Sequence, residues 1–338
     1  MKINYKIKEF PFRHPFRISK GIKSVQRSLL VELEHFGYKG YGEAPQIAYY
    51  NITADQMAED IERKRPFLEK FTFTDPERYW HYLHHLFPNN SFLVCALDMA
   101  GWDIFGKMKR MPLHQLWKLE ASKAPMTDFT IGIDTPELML TKIDEKPWPI
   151  YKIKVGFEGD MEVLEAIRKH TDAIIRVDAN AAWDLDTALQ KLKIMHELGV
   201  ELVEQPLAKE DWDGMKILVA NSPIPLFADE SCVHERDVEA CHGFFHGINI
   251  KLTKCSGITP ARRMIEKARS LGMSVMLGSM NENAIGSAAI AHLAPLVDYV
   301  DNDGTLLQTS LAATSIRFEH GRMIYPESGG LGLSDVDF

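Results

Sequence analysis

Cysteine is scarce. The 338 residues hold four, Cys95, Cys232, Cys241 and Cys255, with no C-x-x-C pair, which excludes a disulfide scaffold and a zinc ribbon. Scattered thiols suit a reducing compartment, so the chain is expected to be cytoplasmic. Long apolar runs are missing as well. Residues 286–297 come nearest to a membrane helix and are broken by His292 and Pro295, short of the roughly 18 residues a span needs. The opening Met1-Lys2-Ile3-Asn4-Tyr5-Lys6 interleaves charge with apolar residues, so no signal-peptide core is expected. Nor is there a basic excess: 39 Lys plus Arg stand against 47 Asp plus Glu, a net charge of −8. Without a basic stripe nucleic acid drops out as a partner, and a small molecule takes its place. No strand-like run leads into G-x-G-x-x-G or a P-loop, which counts against a doubly wound nucleotide fold. Gly329-Gly330-Leu331-Gly332 has no helical pattern behind it and reads as a turn.

What is present is ordinary globular composition, 45% hydrophobic and 25% charged, in a length that suits about two domains or one large barrel with an attachment. Residues 1–125 read as a mixed α+β unit. Residues 2–8 and 28–34 are β-prone, the latter turning through Phe36-Gly37-Tyr38-Lys39-Gly40 into another short strand. Thr53 and Ser91 are plausible N-caps, and Phe92, Leu93, Ala96, Leu97 and Ala100 fall at helical spacing. The small residues Ala96, Ala100 and Gly101 would let that helix pack closely. After Pro125 the grammar changes. Strand-like runs at 129–133, 151–155, 173–177, 201–203, 225–228, 247–252, 274–277 and 298–300 alternate with helix-length segments. Such alternation implies right-handed βαβ units and a parallel sheet. Seven or eight units in this length predict a (β/α)7–8 barrel, a modified TIM barrel that can lack its last helix, over 126–309. Residues 310–338 carry two further β-prone stretches, at 315–319 and 322–325, and are expected to return to the N-terminal unit.

In a parallel barrel the C-terminal strand ends converge on one mouth, where catalytic groups collect. Three acids end successive apolar strands there, Asp178, Glu204 and Asp229, spaced 26 and 25 residues apart. One Asp after a strand is as readily a helix cap. Three on adjacent strand ends would repel one another unless a cation neutralised them, and an all-oxygen ligand set favours Mg²⁺ before Ca²⁺. Lys152 and Lys154, spaced i, i+2, share the interior face of their strand, and Lys251 lies four strands further on. Burial and neighbouring cations lower a lysine pKa towards that of a working base, whereas a salt-bridge network with the acids is the plainer alternative.

The stretches Tyr151-Lys152-Ile153-Lys154-Val155-Gly156, Val177-Asp178-Ala179-Asn180, Val203-Glu204-Gln205-Pro206, Ala228-Asp229-Glu230-Ser231, Ile248-Asn249-Ile250-Lys251-Leu252 and Gly278-Ser279-Met280 resemble the enolase superfamily, and within it the muconate-lactonising-enzyme subgroup. The resemblance spans nearly the whole chain. It implies an N-terminal α+β capping domain over the barrel, Mg²⁺ as cofactor, and a lysine base, a pairing general to such sites. Asp301-Asn302-Asp303-Gly304 is similar to the Asp-x-Asp of the dipeptide epimerases, which engages a free α-ammonium; a β-turn is the competing reading. On this resemblance Asp178, Glu204 and Asp229 hold the metal, and Lys154 and Lys251 are the two bases of a 1,1-proton transfer at the α-carbon of a dipeptide's C-terminal residue, through an enediolate. Lys152, Asp301, Asp303, Ser279 and the lid residue Gly21 are expected at the substrate, with Lys152 also depressing Lys154.

Competing activities on the same scaffold are N-acylamino-acid racemase, o-succinylbenzoate synthase and muconate cycloisomerase. A Schiff-base aldolase and a non-catalytic barrel are more distant readings. Residues 21–24, a flexible basic stretch, are expected to cover the mouth. Ala-Glu epimerases carry a lid Arg where an ungapped reading places Gly21, which counts against Ala-Glu and for a smaller or more hydrophobic second residue; Lys20 or Lys23 is the alternative contact for an acidic one. His81, His84 and His85 read as a solvated helix face, and Cys241, His242 and His246 as structural. Glu282 and Lys254 fall at strand ends with no assigned role. The expected partners are a dipeptide and, as for many such barrels, further copies of the chain.

Overall fold

A computed structural model describes residues 1–19 and 21–338. The N-terminal sheet is β1 (Lys2–Ile18), β2 (Gly21–His35) and β3 (Tyr38–Pro45), antiparallel in that order. The first hairpin is far longer than residues 2–8 suggest. Its ladder runs from Lys2↔Glu34 to Pro11↔Val25, breaks between Pro11 and Phe16, and resumes from Phe16↔Lys23 to Ile18↔Gly21. Such a break bends a strand, and the tip beyond it reaches the barrel.

Helices α1 (Ala54–Lys70), α2 (Pro76–Leu86), α3 (Ser91–Lys109) and α4 (Leu113–Leu116) follow. Thr53 caps α1 as expected, its side chain accepting from the Gln56 amide. The cap of α3 is Asn90 rather than Ser91, because Asn90 Oδ1 accepts from the Leu93 amide. Fourteen of the nineteen α3 residues are buried. One side packs Leu93, Ala96, Leu97 and Ala100 on the sheet, while Cys95, Met99 and Trp102 enter the barrel core. Close approach to the sheet depends on Gly42 of β3, where an added Cβ would collide with the Ala96 carbonyl. Small residues on the helix are thus answered by small residues on the strand.

The barrel strands are β4 (Phe129–Ile131), β5 (Ile150–Lys154), β6 (Ile174–Asp178), β7 (Val200–Glu204), β8 (Leu226–Ala228), β9 (Gly247–Lys251), β10 (Ser274–Gly278) and β11 (Tyr299–Val300). They lie in sequence order, all parallel, and a parallel bridge from Thr127 to Val300 joins the first to the last. All eight overlap the expected runs. Between them lie α5 (Pro136–Glu145), α6 (Asp160–His170), α7 (Leu185–Glu197), α8 (Trp212–Asn221), α9 (Glu235–Cys241), α10 (Leu252–Cys255), α11 (Ile258–Ser270) and α12 (Ala284–Leu293). After β11 comes only the four-residue α13 (Gly304–Leu307), in place of a full outer helix. Alternate residues such as Ile153, Val177, Val203, Ile250 and Leu277 face the helices as one large core. The opposite set fills the interior in two tiers. Leu202, Phe227 and Met276 form an apolar plug with Tyr299. Above it stand charges.

The C-terminal residues include β12 (Arg317–Glu319) paired with β13 (Arg322–Ile324). Gly330 and Leu331 then dock on the capping unit, through Gly330 N to Met111 O (2.9 Å) and Leu331 N to Asp103 Oδ1 (2.8 Å). Among the described residues no helix is long and apolar enough to cross a membrane.

Candidate active site

Register places the polar strand ends side by side. Lys154 pairs across β5–β6 with Asp178, and Asp178 across β6–β7 with Glu204. Asp229 follows β8 directly, and Lys251 ends β9. The helix-cap alternative for these acids fails: α7 and α8 are capped by Asp184 and Asp211, further along their loops. Asp178, Glu204 and Asp229 are all buried and each offers a carboxylate oxygen within 4.8 Å of the others. Three buried carboxylates without His or Cys make an oxygen-only site that suits a hard divalent cation. Beside them, Asn180 Oδ1 is buried with no hydrogen-bond partner among the described residues.

Lysines ring the acids. Lys154 Nζ lies 2.5 Å from Asp178 Oδ2 at one end, and Lys251 Nζ 2.7 Å from Asp229 Oδ2 at the other. Their strands are four places apart in the barrel order, which puts the two amines on opposite flanks. Lys152, a tier lower, bridges Glu204 and Asp301, at 2.7 Å from each. Lys254 donates to Asp229 Oδ1 (2.5 Å) and to the carbonyls of Asp229 and Cys232. Asn249 Nδ2 donates to Glu204 Oε1 at 2.8 Å.

These pairings shift the titration of the groups they join. Burial alone would depress Lys251, but Asp229 and Glu204 outweigh it and hold its ammonium above the ordinary lysine value. For Lys152, burial is likewise outweighed by Asp301, Glu204 and Asp178. The expected depression of interior lysines is thus reversed at both positions, since each amine faces more than one carboxylate. Burial raises Asp178, yet Lys154, Lys152 and Lys251 bring it down to about 2. Glu204 is pushed up to about 7 by burial and then by Asp178.

A cavity of about 380 Å³ lies over this ring, between barrel and lid. Lys154, Lys251, Asn180, Asp229, Ser279 and Asp301 are on the barrel side; Ile18, Gly21, Ile22, Lys23 and Tyr50 are on the capping side. Lys152, Asp178 and Glu204 sit beneath it, so Lys152 meets the acids rather than open cavity. The two residues of the Asp-x-Asp stretch part company. Asp301 faces the cavity, with Oδ2 on Lys152 and Oδ1 without a hydrogen-bond partner among the described residues. Asp303 sits off the cavity wall, its Oδ2 accepting from the Thr130 amide at 2.6 Å, immediately before α13. Burial and then Asp301 push Asp303 up to about 7.

Within the lid, Gly21 lines the cavity and Lys23 brings an amine into it, donating to Gln26 Oε1 at 2.8 Å. Burial lowers Lys23 to about 8 against the opposing pull of Glu282. Lys20 lies outside the described residues. Tyr50 follows no motif in the sequence. It reaches the cavity because the turn after β3 folds back over the mouth. His84 stacks on Trp80, with centroids 4.9 Å apart, on an exposed face, and His246 Nδ1 accepts from the Leu226 amide, both outside the site.

An eight-stranded parallel barrel under an α+β cap, with three carboxylates between opposed lysines, defines the enolase-type scaffold. Family comparison agrees. Residues 2–117 match the mandelate racemase / muconate lactonizing enzyme N-terminal domain and residues 136–335 the enolase C-terminal domain-like family, and the chain belongs to this family. It is 43% identical to the L-Ala-D/L-amino acid epimerase of a Maribacter species and 41% to that of Flavobacterium johnsoniae, each over 99% of both chains. Among solved structures, the substrate-liganded L-Ala-D/L-Glu epimerase of Bacillus subtilis superposes with a TM-score of 0.93 at 28% identity, covering 98% of this chain and 99% of that one. The dipeptide epimerase of Enterococcus faecalis, complexed with Mg and L-Leu-L-Tyr, gives 0.91 at 29%, with the same coverage.

Proposed function

We propose that this chain is a Mg²⁺-dependent dipeptide epimerase acting on the α-carbon of the second residue of alanyl dipeptides. The observation that carries it is the pair of lysine amines on opposite flanks of a buried carboxylate triad. Asp178, Glu204 and Asp229 would hold the ion. A divalent ion there would stabilise charge developing on the substrate carboxylate and compete for the acids that now pair with the lysines.

Lys154 and Lys251 address the two faces of the α-carbon. One amine removes the proton, leaving an enediolate, and the opposite ammonium returns a proton to the other face; the roles exchange for the other epimer. Without the ion, Asp229 and Glu204 hold Lys251 as an ammonium, the form that donates. Lys152 orients Glu204 and Asp301 from below, and Lys254 fixes Asp229. Asp301 receives the substrate ammonium on its open oxygen, while Asp303 behind it holds the Thr130 amide. An acid at that wall disfavours the dianionic substrates of the cycloisomerase and succinylbenzoate synthase readings. Ser279 borders the substrate. The lid meets the second side chain with Gly21, Ile22 and Lys23, a mixed wall that accepts apolar and acidic residues.

In this reading residues 1–125 form cap and lid, 126–309 perform the chemistry, and 310–338 tie the two together. Four buried free thiols suit the cytoplasm, where the chain would work as a homo-oligomer. The test is deuterium exchange in heavy water with both epimers of an alanyl dipeptide. Lys154→Ala and Lys251→Ala should each abolish epimerisation, and each retain α-proton exchange with at most one epimer, the opposite one in each case. Epimerisation surviving in either variant would reject the two-base scheme.

A further inference from the structure

A second cleft, of about 460 Å³, opens on the far side of the lid hairpin, with Arg13, His14, Lys142, Glu145 and Lys146 in its walls. It shares two residues with the cavity over the lysines: Phe16 and Thr130 line both. One aromatic ring and one threonine therefore border both the reacting site and a basic pocket.

The ring is held in place. Phe16 stacks on Phe12, with centroids 5.6 Å apart and planes 17° from parallel. Its neighbour Arg17 accepts from the Ile133 amide at 2.9 Å, which anchors the hairpin to the end of β4. Gly132 makes this docking possible, because a Cβ there would stand 3.0 Å from the Arg17 carbonyl oxygen. Thr130 in turn donates its amide to Asp303 Oδ2 at 2.6 Å. The shared wall is thus built against the acids of the last strand.

We infer that Phe16 is the specificity-determining residue for the first residue of the dipeptide, and that the basic cleft behind it is a latent subsite for a longer, acidic first side chain. The inference rests on the epimerase reading and deepens it. Asp301, Thr130 and Phe16 line the same cavity, so an ammonium held at Asp301 turns its own Cα, and the first side chain that leaves from it, towards a space bounded by Thr130 and Phe16. A methyl group stops short of the ring. A larger side chain meets it.

Beyond the ring the cleft is positive. His14 is taken up by Glu145 (2.7 Å) and Lys142 by Asp134 (2.9 Å). Arg13 donates to the Leu306 carbonyl, and Lys146 lies over the Trp148 ring at 5.0 Å, which leaves both of these charges uncommitted by the two pairs. A carboxylate-bearing first residue matches that surplus.

The experiment uses the full chain with Mg²⁺ and a series of dipeptides with one constant second residue and Ala, Leu or Glu as the first. Solvent deuterium incorporation is the readout. In the wild type, kcat/KM should favour alanyl over leucyl and glutamyl substrates. In Phe16→Ala the ratio of large-first to alanyl kcat/KM should rise by about tenfold or more, the size of effect that pocket shape commonly gives, and most for glutamyl. Adding Arg13→Glu should cancel the extra glutamyl gain and leave the leucyl gain. Phe16→Leu, which keeps an apolar contact for Phe12, covers the case in which Phe16→Ala fails to fold, and should show the same trend at smaller size. A ratio unchanged within about twofold in a variant that still epimerises alanyl dipeptides overturns the inference and leaves the epimerase reading standing. Equal wild-type turnover of large and alanyl first residues also overturns it. A wild type inactive on every dipeptide rejects the epimerase reading, and this subsite with it.

Discussion

At two places in this molecule, the seam between cap and barrel and the barrel mouth, buried carboxylates differ in the kind of partner they mostly have. At the seam between cap and barrel, Glu43 accepts from the amides of Asn283 (2.7 Å) and Gly286 (3.0 Å), at the start of α12. Asp98 accepts from the amide and hydroxyl of Thr259, in the first turn of α11. Asp103 takes the amides of Tyr41 and Leu331 and, in addition, the Lys107 ammonium at 2.7 Å. Glu43 and Asp98 of the cap thus supply N-terminal anchors for two barrel helices. At the mouth the partners are lysines instead: Lys154 on Asp178, Lys152 on Glu204, and Lys251 with Lys254 on Asp229. Asp178 adds one backbone donor, the Asn180 amide. A backbone donor is fixed by the fold, whereas an ammonium on a flexible stem can be displaced by another cation. Equal burial therefore serves structure at the seam and reactivity at the mouth.

The sharpest way to break this contrast is at the mouth. Asp178→Asn or Asp229→Asn should weaken Mg²⁺ binding, read by calorimetry, by at least the roughly 10–100-fold that loss of an outer-shell partner costs. EDTA should abolish epimerisation and added Mg²⁺ restore it. Unchanged Mg²⁺ affinity in both variants would remove the metal site from these acids.

At the seam the largest effect is pH-dependent. Burial pushes Asp98 up to about 7, although the donors of Thr259 pull the other way. A folded-state value above the unfolded one means that stability is full below about pH 4 and is lost as pH rises through about 7. Asp98→Asn removes that ionisation. The thermal midpoint of the wild type should therefore fall relative to the variant between about pH 4 and about pH 7, by the equivalent of a few kcal/mol. Parallel midpoints across that range would contradict the assignment.

Asp301 stands between the two classes, since one oxygen is held by Lys152 and the other faces the cavity. Asp301→Asn should lower kcat/KM on free dipeptides by about 1.5–3 kcal/mol, the worth of a hydrogen bond to a charged group. An N-acetylated dipeptide that turns over as well as the free one would deny it the ammonium. The smallest effect is expected at Glu43→Gln: about 0.5–2 kcal/mol of stability, as for other helix caps, with kcat/KM nearly unchanged. A large loss of activity at unchanged stability would show that the seam, too, acts on the chemistry.

Much of this was legible in the chain. The eight barrel strands were, because β-branched runs bounded by helix-length segments are local features. Asp178, Glu204 and Asp229 were legible because the end of a parallel strand is also a place at the mouth. The length of β1 was not, since only residues 2–8 read as a strand, and the ladder resumes beyond its break at Pro11 only through pairing with β2. The withdrawal of Asp303 from the cavity, the place of Lys152 beneath it, and Tyr50 at its wall were equally hidden. Each depends on what another element puts opposite. Lys254 was noticed without a role, and its role is visible only once the loop after β8 folds over it.

Element order, strand ends and the chemical identity of the mouth were determined by the sequence itself, because periodicity and strand termini are set within a few residues along the chain. Tertiary structure decided which buried charge meets a backbone amide and which a lysine, and that Phe16 borders two pockets. Glu43 and Asn283 are 240 residues apart, and contacts at that separation exist only after the cap has docked on the barrel.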